Sequence, residues 1–329
     1  MKRLGNIYGQ ICNYANLLNA FGKVQLGKSS RADIREWSEQ LEKRLNQLLD
    51  DLSNSNYRFG DYYVFQVYDP KKRTIYAASV RERIIHHAVI NVCGEWLEKC
   101  LIDDSYACRK GKGQYSAVLR AQEFAQRYPW CLKLDIKTYF DTIDQKLMMQ
   151  LLEQRIKDPQ VLKLFSELLC SYAIAPGKGL PIGNLTSQYF ANLYLNIFDR
   201  WISEVPNRGY VRYMDDMLVF GFHDDLRDVL RQAHIFLRDR LQLTIKNGGC
   251  LQPVSRGVDF LGYRVFPQYL LLNQRSKRRF RKKMRELDEA LLNGECTEAE
   301  YQARATALTA FVQHANTYRL RGRICGENE

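Results

Sequence analysis

The tetrapeptide Tyr213-Met214-Asp215-Asp216 constrains this 329-residue chain more than any other feature. Tyr210, Val211 and Tyr213 precede the two carboxylates, and Leu218, Val219 and Phe220 follow them. Short β-branched and aromatic runs on both sides predict strands over residues 210–213 and 217–220, joined by a tight turn. Adjacent carboxylates at the tip of an otherwise buried hairpin repel each other, and desolvation protonates one of them unless a cation is present. A divalent metal resolves the conflict. Asp103-Asp104 and Asp224-Asp225 lack such flanks and read as loop or helix-start residues.

Asp135 has a related setting, because it ends the strand-like run Cys131-Leu132-Lys133-Leu134 and an amphipathic stretch follows. Taken alone, it reads equally well as the N-cap of that next helix. Taken with Asp215 and Asp216, it completes a set of strand-end carboxylates able to hold two Mg²⁺ ions about 3.5–4 Å apart.

The charge balance narrows the partners. Forty-nine Lys and Arg against 37 Asp and Glu leave +12 at neutral pH, which favours a polyanion. The charge is uneven: Asn273 to Arg285 carries eight basic residues and no acidic one. A solvated helix face would also explain that run. Nine cysteines without a Cys-x-x-Cys pair argue for reduced, hydrophobe-like thiols rather than a zinc knuckle. The N-terminus develops no signal peptide and no segment reaches membrane-span length, so a soluble cytoplasmic protein with no membrane partner is expected.

Along the chain, the spacing of Ile34, Trp37, Leu41, Leu45, Leu48 and Leu52 predicts one helix from Ser30 to Leu52, with Ser30 and Asp33 resembling a capping box. Strands are expected over Tyr62–Tyr68 and around Ile75, separated by a basic turn from Asp69 to Arg73. Helices follow over residues 80–97, 115–127, 144–155, 161–171, 186–202 and 225–241, with a strand over 131–136 and a strand pair over 260–272. The tail from Ser276 is helical. One of its apolar faces carries Phe280, Met284, Leu287 and Leu291; the other carries Tyr301, Ala305, Leu308, Val312 and Ala315. His86-His87 invites a metal reading, but adjacent helical side chains diverge by about 100°, so the pair is structural.

At these residues the sequence resembles reverse transcriptases, in family order across roughly residues 57–320. The resemblance implies an α/β (α+β) right-hand polymerase in three parts. These are an N-terminal helical extension (1–56), fingers and palm with an antiparallel sheet packed on helices (57–272), and a basic helical thumb (273–329). Asp135, Asp215 and Asp216 match the catalytic metal ligands, and the carbonyl of Ile136 matches a backbone ligand. The cofactor expected is Mg²⁺, two ions, with Mn²⁺ as a substitute.

The resemblance also assigns the surrounding residues. Arg73, then Lys72, match the basic side chains that meet the incoming dNTP, in a segment running from Lys71 through His86. Arg109 and Lys112, in Arg109-Lys110-Gly111-Lys112-Gly113, match template-backbone contacts; that loop lacks the spacing of a P-loop. Phe140 matches the ring beneath the incoming sugar, where bulk excludes a 2′-hydroxyl, although a plain core aromatic remains an alternative. Lys246 aligns loosely with a proton donor to pyrophosphate. Phe260-Leu261-Gly262-Tyr263 resembles the primer grip, and Arg275, Arg278, Arg279, Arg281 and Lys282 lie where a thumb tracks the RNA/DNA heteroduplex backbone.

The departure lies in Leu180-Pro181-Ile182-Gly183-Asn184-Leu185-Thr186-Ser187-Gln188. Most reverse transcriptases carry Gln-Gly and Ser-Pro here; Ile182 replaces the glutamine and Gln188 the proline. This form resembles the enzymes of diversity-generating retroelements, which copy a template-repeat RNA with errors concentrated at adenines. The resemblance implies nucleotide contacts from Ile182, Gly183 and Gln188, a bacterial or phage source, and a small basic pentameric accessory protein as partner. It also implies a compact chain without maturase or endonuclease regions. The alternatives are an ordinary retron or group II intron-type enzyme and, in another class, a catalytically silent RNA-binding scaffold.

Overall fold

The computed structural model describes residues 3–56, 58–68 and 72–325, so the basic turn through Asp69, Pro70 and Lys71 lies outside the described residues. In chain order the first elements are α1 (Tyr8–Ile11), α2 (Tyr14–Gln25), α3 (Ala32–Glu39), α4 (Leu41–Ser53), β1 (Tyr62–Tyr68), β2 (Lys72–Ala78) and α5 (Val80–Lys99). Then come α6 (Gln114–Arg127), β3 (Trp130–Asp135), α7 (Tyr139–Thr142), α8 (Gln145–Glu153), α9 (Pro159–Cys170) and α10 (Leu185–Ser203). The hairpin β4 (Gly209–Tyr213) and β5 (Asp216–Gly221) leads to α11 (His223–Leu241). Strands β6 (Cys250–Pro253), β7 (Val258–Phe260), β8 (Tyr263–Val265) and β9 (Leu270–Leu272) precede α12 (Gln274–Leu292), α13 (Glu298–Val312) and α14 (Tyr318–Cys325). The fold class is mixed α/β with antiparallel sheets, as expected.

The chain divides into two compact, interleaved units. The first comprises Met1–Asp103, Ile136–Ile202 and His234–Ile245. Its core gathers Ile11, Leu17, Phe21, Ile34, Leu45, Leu48 and Leu52 with Ile84, Ile85, Ala88 and Val89 of α5, all buried. Ser79 caps α5 by accepting from Glu82 N. Asp158 caps α9 and also accepts from the backbone N–H of Ile7 and Tyr8 at 2.8 and 3.0 Å, pinning the N-terminal segment. The ribbon β1–β2 pairs in full antiparallel register from Tyr62↔Ala78 to Tyr68↔Lys72.

Two expectations need correction here. The helix drawn from Ser30 to Leu52 is two helices, because Gln40 leaves helical geometry at φ −125°, ψ 31°. The supposed capping box is absent: the N-cap of α3 is Arg31, with no side-chain cap, and Asp33 pairs instead with Arg31 and Arg83.

The second unit comprises Asp104–Asp135, Ser203–Ala233 and Lys246–Glu329. Its main sheet has the order β4-β5-β3-β6, all antiparallel. Helix α6 lays Ala117, Val118, Ala121, Phe124 and Ala125 into the same core as Val211, Leu218 and Phe220. Gly209 is obligatory there, since a Cβ would fall 2.3 Å from the Phe124 ring. The strand pair expected over 260–272 is a three-stranded sheet, β7-β8-β9, beginning at Val258. Asn273 caps α12, whose Phe280 and Met284 join that core, with Leu287 also buried. Burying such side chains stabilises by roughly 1.5–3 kcal/mol each. Among the described residues no helix is long and apolar enough to cross a membrane. The eight cysteines with described side chains are all free thiols.

Candidate active site

The second unit places the three predicted carboxylates on adjoining strand ends. Tyr213 pairs with Asp216, so Met214 and Asp215 form a two-residue turn. Met214 adopts φ 56°, a left-handed conformation costing about 1–2 kcal/mol in a non-glycine residue, which persists because its surroundings hold it. Asp135 ends β3 directly opposite Asp216 in the β3–β5 register. The N-cap reading of Asp135 is not realised: the following helix is capped at Thr138, without a side-chain cap.

Two lysines meet these carboxylates. Lys246 Nζ lies 2.8 Å from Asp135 Oδ2. Lys133 Nζ lies 3.2 Å from Oδ1 and 3.3 Å from Oδ2 of Asp216, and donates to the Asp259 carbonyl at 2.7 Å. Burial, opposed by Lys133 and reinforced by Asp215 and Asp135, pushes the Asp216 carboxyl up to about 6. Its Oδ1 is buried and accepts no hydrogen bond, although the side chain as a whole keeps 27% exposure.

The donor set suits a hard divalent cation: the carboxylate oxygens of three aspartates on adjoining strand ends, one of them, Asp216 Oδ1, buried with an ion-pair contact to Lys133 but no hydrogen bond. Among the described residues, no three Asp, Glu, His or Cys side chains converge on a single point for one ion. Lys246 and Lys133 instead offset the charges of Asp135 and Asp216. The adjacent pairs elsewhere are structural. Asp104 receives a two-pronged bond from Arg120 at 2.8 and 3.1 Å, and Asp224-Asp225 sit in the first turn of α11.

Two of these neighbours were missed in the sequence. Arg212 is fully buried, and its Nη1 donates to the Met214 carbonyl at 3.0 Å, bracing the strained turn. Its backbone accepts from Tyr106 N and donates to Asp104 O, both at 2.9 Å. Lys133 is the other; an isolated Lys in a strand carries no signal of what its head will meet.

The second unit also holds the residues assigned to nucleic-acid backbone. Phe260 pairs with Tyr263 across the turn Leu261-Gly262, where both central residues have positive φ. A Cβ on Gly262 would fall 2.8 Å from Ser276 Oγ, so this turn needs glycine to reach α12. Gln114 Nε2 donates to Leu261 O at 2.5 Å, and Tyr263 hydroxyl donates to Phe311 O at 2.7 Å. Arg109 donates to Ser105 O, and Lys112 lies over the Tyr106 ring. Arg275, Arg278, Arg279, Arg281 and Lys282 are exposed on α12, opposite its buried apolar side.

The first unit holds the residues assigned to the nucleotide, except Lys246, which belongs to the second. Phe140 is half-buried on α7, while the core aromatic is its neighbour Tyr139, whose hydroxyl donates to Ala191 O. The Phe140 carbonyl accepts from Leu180 N at 2.8 Å, and the Ile182 carbonyl from Tyr76 N of β2 at 2.9 Å. Gly183, at φ 118°, abuts Ile75 so closely that a Cβ would fall 2.9 Å from its Cγ2. Gln188 is half-buried in the first turn of α10. Lys72 and Arg73 are exposed on β2, with Lys72 over the Tyr68 ring. Ile136 bridges Ile245 through the backbone, with its side chain buried. His86 is structural, as expected: its Nδ1 lies 2.7 Å from Thr186 Oγ1.

Comparison with known proteins matches residues 69–265 to the family described as reverse transcriptase (RNA-dependent DNA polymerase). The chain belongs to that family. It is 22% identical over 324 residues to a putative COX1/OXI3 intron 2 protein of Saccharomyces cerevisiae, covering 76% of this chain and 37% of that protein. It is 23% identical to protein YkfC of Escherichia coli, covering 69% of this chain and 72% of that protein. It is 23% identical over 175 residues to the group II intron-encoded protein LtrA of Lactococcus lactis, covering 51% of this chain and 29% of that protein. The chain thus spans about a third of the length of two of these relatives. A solved structure of apo telomerase from Candida tropicalis superimposes with TM-score 0.49 at 9% identity, covering 66% of this chain and 49% of that chain.

Proposed function

We propose that this chain is an RNA-directed DNA polymerase of a diversity-generating retroelement. The observation that carries the catalytic part is the register pairing of Asp135 with Asp216, beside a strained turn that presents Asp215. Bound divalent ions, two Mg²⁺ with Mn²⁺ as substitute, would lower the pKa of a primer 3′-hydroxyl and neutralise the triphosphate and leaving pyrophosphate. Asp135, Asp215, Asp216 and the Ile136 carbonyl would hold them. Arg212 keeps the turn in place, Lys246 stands within reach to protonate pyrophosphate, and Lys72 and Arg73 attract the dNTP. The segments 1–56, 57–272 and 273–329 are read as extension, fingers with palm, and thumb, with the basic side of α12 facing the heteroduplex.

Phe140 is read as the sugar gate. Its ring is half-buried and Tyr139 does the core packing, so Phe140→Ala should fold. The variant is expected to raise the relative kcat/KM for ribonucleotides by about tenfold to a hundredfold in single-nucleotide incorporation assays. Unchanged discrimination would return the ring to a packing role.

The retroelement subtype rests on Ile182 and Gln188. An apolar side chain at 182 withdraws a polar anchor beside the nascent base pair and loosens the geometric check on pairing. Template RNA copied by the wild type is expected to yield cDNA with errors concentrated at template adenines, and Ile182→Gln is expected to cut them several-fold. Uniform low error in the wild type would instead favour the second reading, an ordinary intron-type enzyme, to which the intron-encoded relatives give weight. The same assay with and without a small basic pentameric accessory protein tests that partner.

A further inference from the structure

Lys133 does something the proposed chemistry leaves unused. It sits on β3, two residues before Asp135, with its side chain 28% exposed. Its single ammonium contacts both carboxylate oxygens of Asp216, at 3.2 and 3.3 Å, and the Asp259 carbonyl at 2.7 Å. Asp259 belongs to β7, the edge strand of the β7-β8-β9 sheet, and the next residues, Phe260 to Tyr263, make the tight turn against α12. One side chain therefore ties the carboxylate at the head of β5 to the backbone just before that turn. An ammonium offers three donors and no acceptor, so it can serve both partners at once.

The electrostatics make this link conditional. With Asp215 adjacent in sequence and Asp135 opposite in register, Asp216 needs a nearby cation, and Lys133 supplies one. A divalent ion arriving at the same oxygens would compete with it directly. Once Asp216 is taken, the remaining bond of Lys133 is to β7.

We propose that Lys133 is a positioning residue, the resident counter-cation of Asp216 that a divalent metal displaces, and that its second bond transmits metal occupancy to the β7–β8 turn. The inference rests on reading Asp216 as a metal ligand. A lysine kept only for packing or surface charge would lose stability on replacement and leave metal affinity unchanged. A competing counter-cation predicts the opposite sign for affinity.

The test is a Mn²⁺ titration of the full chain followed by electron paramagnetic resonance, with no substrate present. Lys133→Met is expected to bind about tenfold tighter than wild type; that is a modest share of the Coulomb attraction at this separation, given the partial exposure of the pair. Lys133→Arg, which keeps the charge, is expected to stay near wild type. Mg²⁺ is also expected to change hydrogen exchange of the 260–263 amides in wild type and not in Lys133→Met. Wild-type or weaker affinity in Lys133→Met overturns the inference, while Asp216→Asn binding as well as wild type would overturn the ligand reading beneath it. Loss of binding in Asp216→Asn with no gain in Lys133→Met sinks the Lys133 role alone. Should Lys133→Met fail to fold, Lys133→Gln carries the same comparison.

Discussion

Asp215→Ala is expected to lower Mg²⁺-dependent primer extension on an RNA template by at least about a thousandfold, roughly 4 kcal/mol of transition-state stabilisation. Asp215 occupies the second position of the Met214-Asp215 turn and is half-buried, outside the apolar core beneath it. Its removal also relieves Asp216, whose carboxyl is held at about 6 by burial foremost and by Asp215 among its neighbours. The fold should therefore survive, with a melting temperature within a few degrees of wild type, and the activity alone should go. Template RNA binding, proposed to rest on dispersed basic side chains such as those of α12, is expected to persist with its salt dependence unchanged. Equal extension by variant and wild type would defeat the polymerase reading. RNA affinity without extension in either would favour the silent scaffold.

What the sequence made legible follows from how local each signal is. The β4–β5 hairpin was readable because the β-branched and aromatic runs and the two aspartates lie within a dozen residues, and the strands formed within a residue of where the pattern placed them. The break at Gln40 was hidden, since neither proline nor glycine marks it and the apolar spacing runs on through it. Strand β6 was missed for another reason. Cys250–Pro253 is four residues long, follows two glycines, and becomes a strand only by pairing with β3, more than a hundred residues earlier. The same distance concealed the polar partners of the site. Asp135, Asp215 and Asp216 declared themselves through their flanks, whereas Lys133 meets Asp216 83 residues away and the Asp259 carbonyl 126 residues away. Arg212, between Val211 and Tyr213, carries no signal of its own in the sequence, yet it is among the largest fully buried side chains. Carboxylates at strand ends can be inferred from a pattern; the cations that balance them come from tertiary packing.

Tertiary packing also sets the second large effect, an acid lability centred on His86. The side chain is 4% exposed on α5, and its Nδ1 meets Thr186 Oγ1 at 2.7 Å, in the first turn of α10. Thr186 belongs to the same run as Ile182, Gly183 and Gln188, so this bond seats the segment on which the proposed subtype rests. Burial above all, then the charge of His87, holds the His86 pKa down at about 3. An unfolded histidine titrates near 6.5, so on acidification the unfolded state takes up the proton first. The contribution is complete above about pH 6.5 and is lost as pH falls toward 3. At about 1.4 kcal/mol per pH unit, the loss reaches about 2 kcal/mol by pH 5 and about 3 kcal/mol by pH 4. His87 is lowered too and adds in the same sense, whereas Asp216, raised to about 6, works in the opposite sense below that pH. Comparing wild type with His86→Gln, whose amide can still bond Thr186, cancels those contributions. Native-state hydrogen exchange of the α5 and α10 amides at pH 7 and pH 5 is expected to show wild type losing about 2 kcal/mol more than the variant. A parallel loss in both would place the acid sensitivity elsewhere. A steeper loss in wild type would mean that the α10 segment near Ile182 loosens in mild acid, over the same pH range in which the Asp216 carboxyl takes up its proton.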